Sequence, residues 1–505
     1  MRGIGRQIGY YFALNTLGLT PAIIISIVFG YFIILLGIAF YTARGATNES
    51  FFIGKKSSKW YLVAYGMIGT SLSGVTFMSV PGGVEKAHFT YMQIVLGYVL
   101  GYFVIAFVLL PLYYRLNLTS IYTYLKTRFG NVSYKTGATF FLISRTLGAS
   151  IRIFLVLNVL QIFMLDAWHI PFPVTVFVVL LMILLYTFKG GVKTIVWTDT
   201  LQTTFMILAL VVTVFIIQSE LHLSFSSLYQ SLQAKGYTQV FDTDWRSKGF
   251  FIKQVLSGMF ITITMTGLDQ EMMQKNISVR TLGESQKNMI IFSVILLFVN
   301  ALFLFLGGIL YLYMTTKNIA VPVRPDDVFP TIALQYLPPI TGLVFVIGIV
   351  SALFPSADGA LTALTSSFCI DILGLKERDD LDEEGKMKLR RVVHISVAFV
   401  FLIAIILFRV FNEGSVITTT LKIAGYTYGP LLGLFAFGLL NKQKVNDKLV
   451  PLVCVLSPIL SFVLDHFSTT IFFGYQMGFE VLLVNGFITF MGLYLIAPES
   501  LNTNA

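Results

Sequence analysis

Arg145 and Arg152 stand seven residues apart within one long apolar run, so a helix places both guanidinium groups on one face. Arginine's planar fork suits bidentate recognition of a carboxylate. Other ionisable groups share this apolar setting. Asp199 opens a second run, Asp358 lies in SALFPSADGALTALTSS, Lys422 falls inside a third, and GMFITITMTGLDQEMMQK ends in Asp269, Gln270 and Glu271. A charge at the centre of a bilayer costs at least about 2.5 kcal/mol, so each such residue needs a partner, a cavity or a task. Internal ion pairing is one reading, for example Arg145 or Lys422 with Asp358. Anion binding is the other.

Small and hydroxylated residues gather in three places. One run carries Gly66, Gly69, Thr70, Ser71, Ser73, Gly74 and Thr76, followed by Pro81-Gly82-Gly83. Such residues weaken a helix, and a break inside a membrane is tolerated only where it lines a cavity or is buried in protein. Carbonyls freed there are hard ligands for a small cation; close packing through small residues is the alternative. Thr262, Thr264 and Thr266 precede Gly267 in a second run that loosens midway. In the third, Pro355, Asp358, Thr362 and Ser366 share a helical face.

The elements that position these groups follow from composition. The 505 residues are 56% hydrophobic and only 12% charged, about half the share of a soluble chain. With about 20 apolar residues per bilayer crossing, the sequence predicts an all-α membrane protein of about 13 transmembrane helices. The spans fall near 21–43, 60–83, 90–114, 134–165, 171–188, 194–219, 250–275, 288–315, 338–372, 390–410, 415–440, 448–467 and 477–497. Counted over the alternate loops, basic residues number twenty-two on one side and ten on the other. That bias puts the N-terminus outside and the C-terminus in the cytoplasm of a multi-pass cell-membrane protein. Long period-two alternation is absent, which argues against a membrane barrel.

The net charge of +10 is spread over short loops and forms no nucleic-acid face. Cys369 and Cys454 lack the spacing of a zinc site, and the five histidines are scattered, so no catalytic constellation is expected. A channel would call for filter-like loops or rings of charge. The long loop 220–248 is read as an outer lid.

The motifs FFIG at 51–54, SLSGVTFMSVPGG at 71–83, LPLYYRLNLTSIYTYLKTRFG at 110–130, GGVKTIVWTDTLQ at 190–202, GLDQEMMQK at 267–275 and SALFPSADGALTALTSS at 351–367 recur in this order in one family. With YGPLLGLFAFGLL at the end of the eleventh span, the chain resembles the sodium/solute symporters. These include proline, sugar, sialic acid, iodide and monocarboxylate carriers; the 110–130 stretch leans toward the iodide, vitamin and monocarboxylate branch. The resemblance implies a LeuT-like inverted five-plus-five repeat, with one helix before and two after. The corresponding division is 1–58 for the N-terminal segment and first helix, 59–219 for the first repeat, 220–248 for the extracytoplasmic loop, 249–441 for the second repeat and 442–505 for two C-terminal helices and the tail.

It also implies sodium-coupled uptake of a small polar or anionic solute by alternating access. The main sodium site would use carbonyls of Gly69, Leu72 and Ala352 with the Ser356 hydroxyl; position 355, often Ser or Thr in the family, is Pro here. A second sodium site in some members matches Asp199, and the hydroxyl positions that complete it are Asp358 and Gly359 in this chain. Asp358 is expected to make up for the hydroxyl lost at Pro355. Asp199 and Asp358 together are expected to hold a cation or share a proton. The solute pocket would draw on Ser71, Ser73, Thr76, Phe77, Arg145, Arg152, Thr264, Asp269, Gln270 and Tyr426. Expected partners are the solute, sodium and membrane lipid, with no nucleic acid and a monomer allowed. Proton coupling on the same fold and a transporter-like solute sensor stand as alternatives.

Overall fold

The computed structural model describes residues 21–42, 58–411 and 416–497, leaving aside the side chains at 21, 189–193 and 411. The FFIG motif at 51–54 lies outside them. Among the described residues the regular elements are all helical. In chain order the main ones are α1 (Pro21–Thr42), α2 (Trp60–Ser71), α3 (Gly74–Gly82), α4 (Tyr91–Val104), α5 (Asn131–Leu160), α6 (Phe172–Leu221), α7 (Phe225–Ala234) and α8 (Phe251–Thr262). They continue with α9 (Gln270–Ile277), α10 (Leu282–Thr316), α11 (Pro339–Ser367), α12 (Glu383–Phe411), α13 (Val416–Thr427), α14 (Gly429–Leu440), α15 (Val450–His466) and α16 (Val481–Leu495).

Eight stretches among the described residues are each long and apolar enough to cross a bilayer. Three further pairs qualify together but are bent at a short break: α2 with α3 by 55°, the α8 stretch with α9 by 66°, and α13 with α14 by 46°. The first two breaks fall in the hydroxyl-rich runs that the sequence marks as weak. The third, at Tyr428, is a finding of the structure. Phe172–Phe188 and Val481–Leu495 are shorter apolar helices.

The sequence separates spans 171–188 and 194–219, whereas α6 is helical throughout its 50 residues. Straight, it would measure about 75 Å, more than twice a bilayer core. Its contacts fold it in two. Thr187 and Thr365 both bond His394, at 3.0 and 2.9 Å, which sets a common level for α6, α11 and α12. From that level Phe172 lies toward Arg409, whose guanidinium covers its ring at 4.2 Å. Ala209 lies toward Gly348, where a Cβ would come within 2.4 Å of it. Since α11 and α12 run antiparallel from that level, both halves of α6 leave it in the same direction.

Close approach of backbones explains several glycines. A Cβ on Gly97 would stand 2.1 Å from the Val255 carbonyl, and one on Gly258 would stand 2.2 Å from that of Ile94, so α4 and α8 meet almost backbone to backbone. Gly82, in the Pro81-Gly82-Gly83 run, is pressed against the Pro325 carbonyl in the same way, with a Cβ at 2.0 Å. That glycine serves packing. The loop 220–248 contains α7, whose Leu228 and Leu232 are fully buried, with Leu232 seated against Gly308 of α10. The loop is therefore anchored to the bundle by an amphipathic helix.

Candidate functional site

Both predicted breaks converge on one buried polar centre. At the first, Leu72 leaves helical geometry (ψ 76°) and Ser73 is extended (ψ 175°), so α3 restarts in a new direction. Gly74 has no room for a side chain there, because a Cβ would lie 2.1 Å from Val156 of α5. Gly69 lies over α6, its amide donating to the Thr203 hydroxyl at 3.0 Å.

At the second break a π-helical turn, Ile263–Gly267, ends α8, and Asp269 caps α9 by accepting from the amides of Glu271 and Met272 at 2.9 and 3.3 Å. The freed carbonyls of Gly267 and Leu268 accept from the hydroxyls of Tyr113 and Tyr122, at 2.8 and 2.9 Å. Gln270 clamps the same segment, accepting from the Ile121 amide at 3.0 Å and donating to the Thr119 carbonyl at 2.9 Å. The 110–130 stretch is thus a strap that satisfies the backbone opened by the second break.

A cleft of about 770 Å³, counting the space at its mouth, opens between α2, α3, α4, α5, α8, α10 and α13. Of the predicted solute-binding residues, Ser71, Ser73, Thr76, Arg145 and Arg152 line it. Five do not. Phe77 is fully buried in a cluster with Phe303, Phe329 and Phe345, with ring centroids 5.2–5.8 Å from its own. Thr264 turns its hydroxyl back onto the Phe260 and Ile261 carbonyls, while Thr262 and Thr266, one turn apart, take the cleft face. Asp269 and Gln270 are fully buried in their capping and clamping roles. Tyr426 reaches the other way, bonding Asp465 at 2.5 Å. Beyond the bend, Tyr428 is the tyrosine that reaches the centre, donating to Asp269 Oδ2 at 3.0 Å. Tyr426→Phe is expected to leave the KM for solute unchanged in an uptake assay, whereas a cleft-lining tyrosine would shift it.

The ion pairs also differ from expectation. Arg145 pairs with Glu271 through Nη2 and approaches Asp269 at 3.8 Å, so neither it nor Lys422 meets Asp358. Lys422 pairs with Asp465 at 3.0 Å and is more than half exposed. Asp358 accepts from the Tyr186 hydroxyl at 2.6 Å through Oδ2. Lys275, which sequence counting places in a cytoplasmic loop, is buried at 2% exposure. Its ammonium meets Asp199 Oδ2 and Thr70 Oγ1, each at 2.7 Å, and Glu271 Oε1 at 3.4 Å. Asp199 therefore pairs with a lysine of this chain, and Asp358 lies near enough for its charge to bear on both, as the sequence anticipates for the two carboxylates. Besides Tyr428, sequence reasoning failed to place the charged residues Glu271 and Lys275 at the centre. Their signal was the (i, i+4) spacing of opposite charges on a helix that opens at a break.

Arg152 differs from its neighbour. It lines the cleft, is only half-buried, and has no ion pair or hydrogen bond among the described residues. Asn300 Oδ1, on the facing wall, is buried and likewise without a partner. Ser356 Oγ is buried with no hydrogen-bond partner among the described residues, on α11, which packs against both α2 and α3. Groups of three or more His, Cys, Asp or Glu able to hold a metal are absent among the described residues. Carbonyls and hydroxyls, the ligands expected of Gly69, Leu72, Ala352 and Ser356, are instead the donor class that suits a weakly held hard monovalent ion.

A helical bundle with two broken helices flanking a polar cleft at its centre is the architecture of a membrane carrier. The Sodium:solute symporter family model matches residues 51–448, and the chain belongs to that family of sodium-coupled carriers. The sodium/sialic acid symporter NanT of Aliivibrio fischeri is 23% identical over 468 residues, 90% of either chain. The human sodium/iodide cotransporter is 24% identical over 416 residues, 78% of this chain and 62% of that protein. The solved structure of a Na+-coupled sialic acid symporter, substrate-bound and outward-open, superposes with a TM-score of 0.80 at 20% identity. It covers 94% of this chain and 97% of that one, and the likeness establishes the fold.

Proposed function

We propose that the protein imports a small hydroxylated organic anion together with sodium, and that Arg152 holds the anionic group. The observation that carries this reading is the guanidinium without a partner in the central cleft, beside one already neutralised by Glu271 and Asp269. A cation left uncompensated in a low-dielectric site is stabilised by an incoming anion. Around it Ser71, Ser73, Thr76, Thr262, Thr266 and Thr420 offer hydroxyls, which suit a solute that carries several of its own. Sialic acid, a carboxylated sugar transported by the bacterial relatives, is the first solute to test.

Sodium would be held by the carbonyls of Gly69, Leu72 and Ala352 and by Ser356 Oγ, a buried hydroxyl without a partner among the described residues. Asp358 stands one turn from Pro355, and its Oδ1 is free of hydrogen bonds, which fits it to supply the oxygen that proline removes. Asp358→Ala is then expected to abolish sodium stimulation of uptake in proteoliposomes; retained sodium dependence would remove Asp358 from the site. The thirteen spans divide as two inverted repeats over 59–219 and 249–441, with 1–58 before them, the loop 220–248 between, and 442–505 after. The N-terminus faces outside, and transport proceeds by alternating access around the two broken helices. Uptake of labelled sialic acid and simpler hydroxy acids, with and without an inward sodium gradient, tests the reading as a whole.

A further inference from the structure

The place beside Asp199 is already filled by a cation of the protein's own. The Lys275 ammonium has three protons and three acceptors, Thr70 Oγ1 and Asp199 Oδ2 at 2.7 Å and Glu271 Oε1 at 3.4 Å. Thr70 in turn donates to Asp199 Oδ2 at 3.2 Å. Position 359 is a bare glycine, which offers no side-chain ligand to a sodium ion at Asp199. The glycine is part of the same arrangement. A Cβ on Gly359 would stand 2.1 Å from Glu271 Oε1 and 2.6 Å from its carboxyl carbon, so any side chain there displaces the carboxylate that helps to hold Lys275. The missing hydroxyl at 359, the carboxylate at 271 and the ammonium at 275 thus require one another. A sodium ion sharing the Asp199 oxygen would sit against this fixed positive charge. The residues do not fit a sodium ion at that place.

We propose that Lys275 is a tethered counter-cation standing where a second sodium ion would sit, so that this chain binds sodium only at the Gly69, Leu72, Ala352 and Ser356 position. The inference rests on the sodium reading above for that remaining position, but its own claim concerns Asp199. Asp199 Oδ1 carries no hydrogen bond, so removing the ammonium leaves an oxygen ready for a free cation.

Equilibrium binding of radioactive sodium to the purified full chain counts ions per protein, and sodium titration of solute uptake gives the Hill coefficient. Lys275→Met is expected to raise the count by one ion, and the Hill coefficient from about 1 toward 2. Adding Asp199→Asn to that variant is expected to cancel the gain. A wild-type chain that binds two ions, or a folded Lys275→Met chain that keeps the wild-type count, overturns the proposal. A wild-type chain that binds none, with one ion gained on Lys275→Met, upholds the lysine assignment and sinks the sodium site at Ser356. If Lys275→Met does not fold, Lys275→Met with Glu271→Gln removes one charge of each sign and is counted in its place, with the same two readings.

Discussion

Arg152→Gln is expected to weaken solute binding by about 10- to 150-fold while leaving the protein folded, corresponding to about 1.5–3 kcal/mol for hydrogen bonds to a charged group. The side chain has no protein partner among the described residues, so removing its charge breaks nothing inside the bundle. Glutamine keeps the length and some hydrogen bonding but loses the planar fork and the charge. Binding of the anion, followed by calorimetry or by concentration-dependent protection against heating, should therefore fall while the thermal midpoint of the free protein holds. Equal loss with a neutral analogue of the solute would show that Arg152 shapes the cleft and does not read charge.

Glu271→Ala is expected to act on stability. Glu271 is 2% exposed and bonds Arg145 on one side and Lys275 on the other. Deleting one partner of a buried pair typically costs about 3–5 kcal/mol, because the charge left behind has neither water nor a counter-ion. Here two cations lose a shared carboxylate, and only the flanking Asp269 and Asp199 remain to them. The thermal midpoint in detergent should fall sharply. Replacing Arg145 and Glu271 together by methionine should cost less than Glu271→Ala alone, since no orphaned charge remains on the Arg145 side. A double variant at least as unstable as the single one would show that packing at these positions matters more than charge.

Much of the fold is legible in the sequence because bilayer thickness imposes a length on apolar runs and Gly-Ser clusters mark where a helix can open. The break at Leu72–Ser73 and the break before Asp269 both lie where those clusters predict. The bend at Tyr428 has no comparable cluster, and with it went the choice between Tyr426 and Tyr428. Two residues on a helix point to nearly opposite sides, so the bend decides which tyrosine faces the centre. The same rule separates Thr264 from Thr262 and Thr266, while the single-residue step of about 100° separates Phe77 from Thr76. For Arg145 and Arg152 the shared face was evident, but their difference was not. The carboxylates that neutralise Arg145 lie more than 120 residues away, and nothing local announces them. Lys275 was hidden for another reason. It closes the predicted span 250–275, where interfacial lysines are expected, and only the break before α9 carries that helix back into the protein. Removing Lys275 from the loop tally leaves the charge bias across the membrane intact.

Glu271 and Lys275 also explain how so apolar a chain keeps charges at its centre. Arg145, Glu271, Lys275 and Asp199 alternate in sign along a continuous path from the solute cleft to the first break. A solute anion at Arg152 would therefore join a network that ends beside the proposed sodium ligands of α2.

The most direct measurement is uptake of labelled sialic acid or a related hydroxy acid into proteoliposomes holding the purified wild-type chain. An inward sodium gradient should drive accumulation above the external concentration, and replacing sodium by potassium or collapsing the gradient should return uptake to the level of empty vesicles. Accumulation that persists without sodium, or a complete failure of every organic anion to compete for the cleft, would contradict the account.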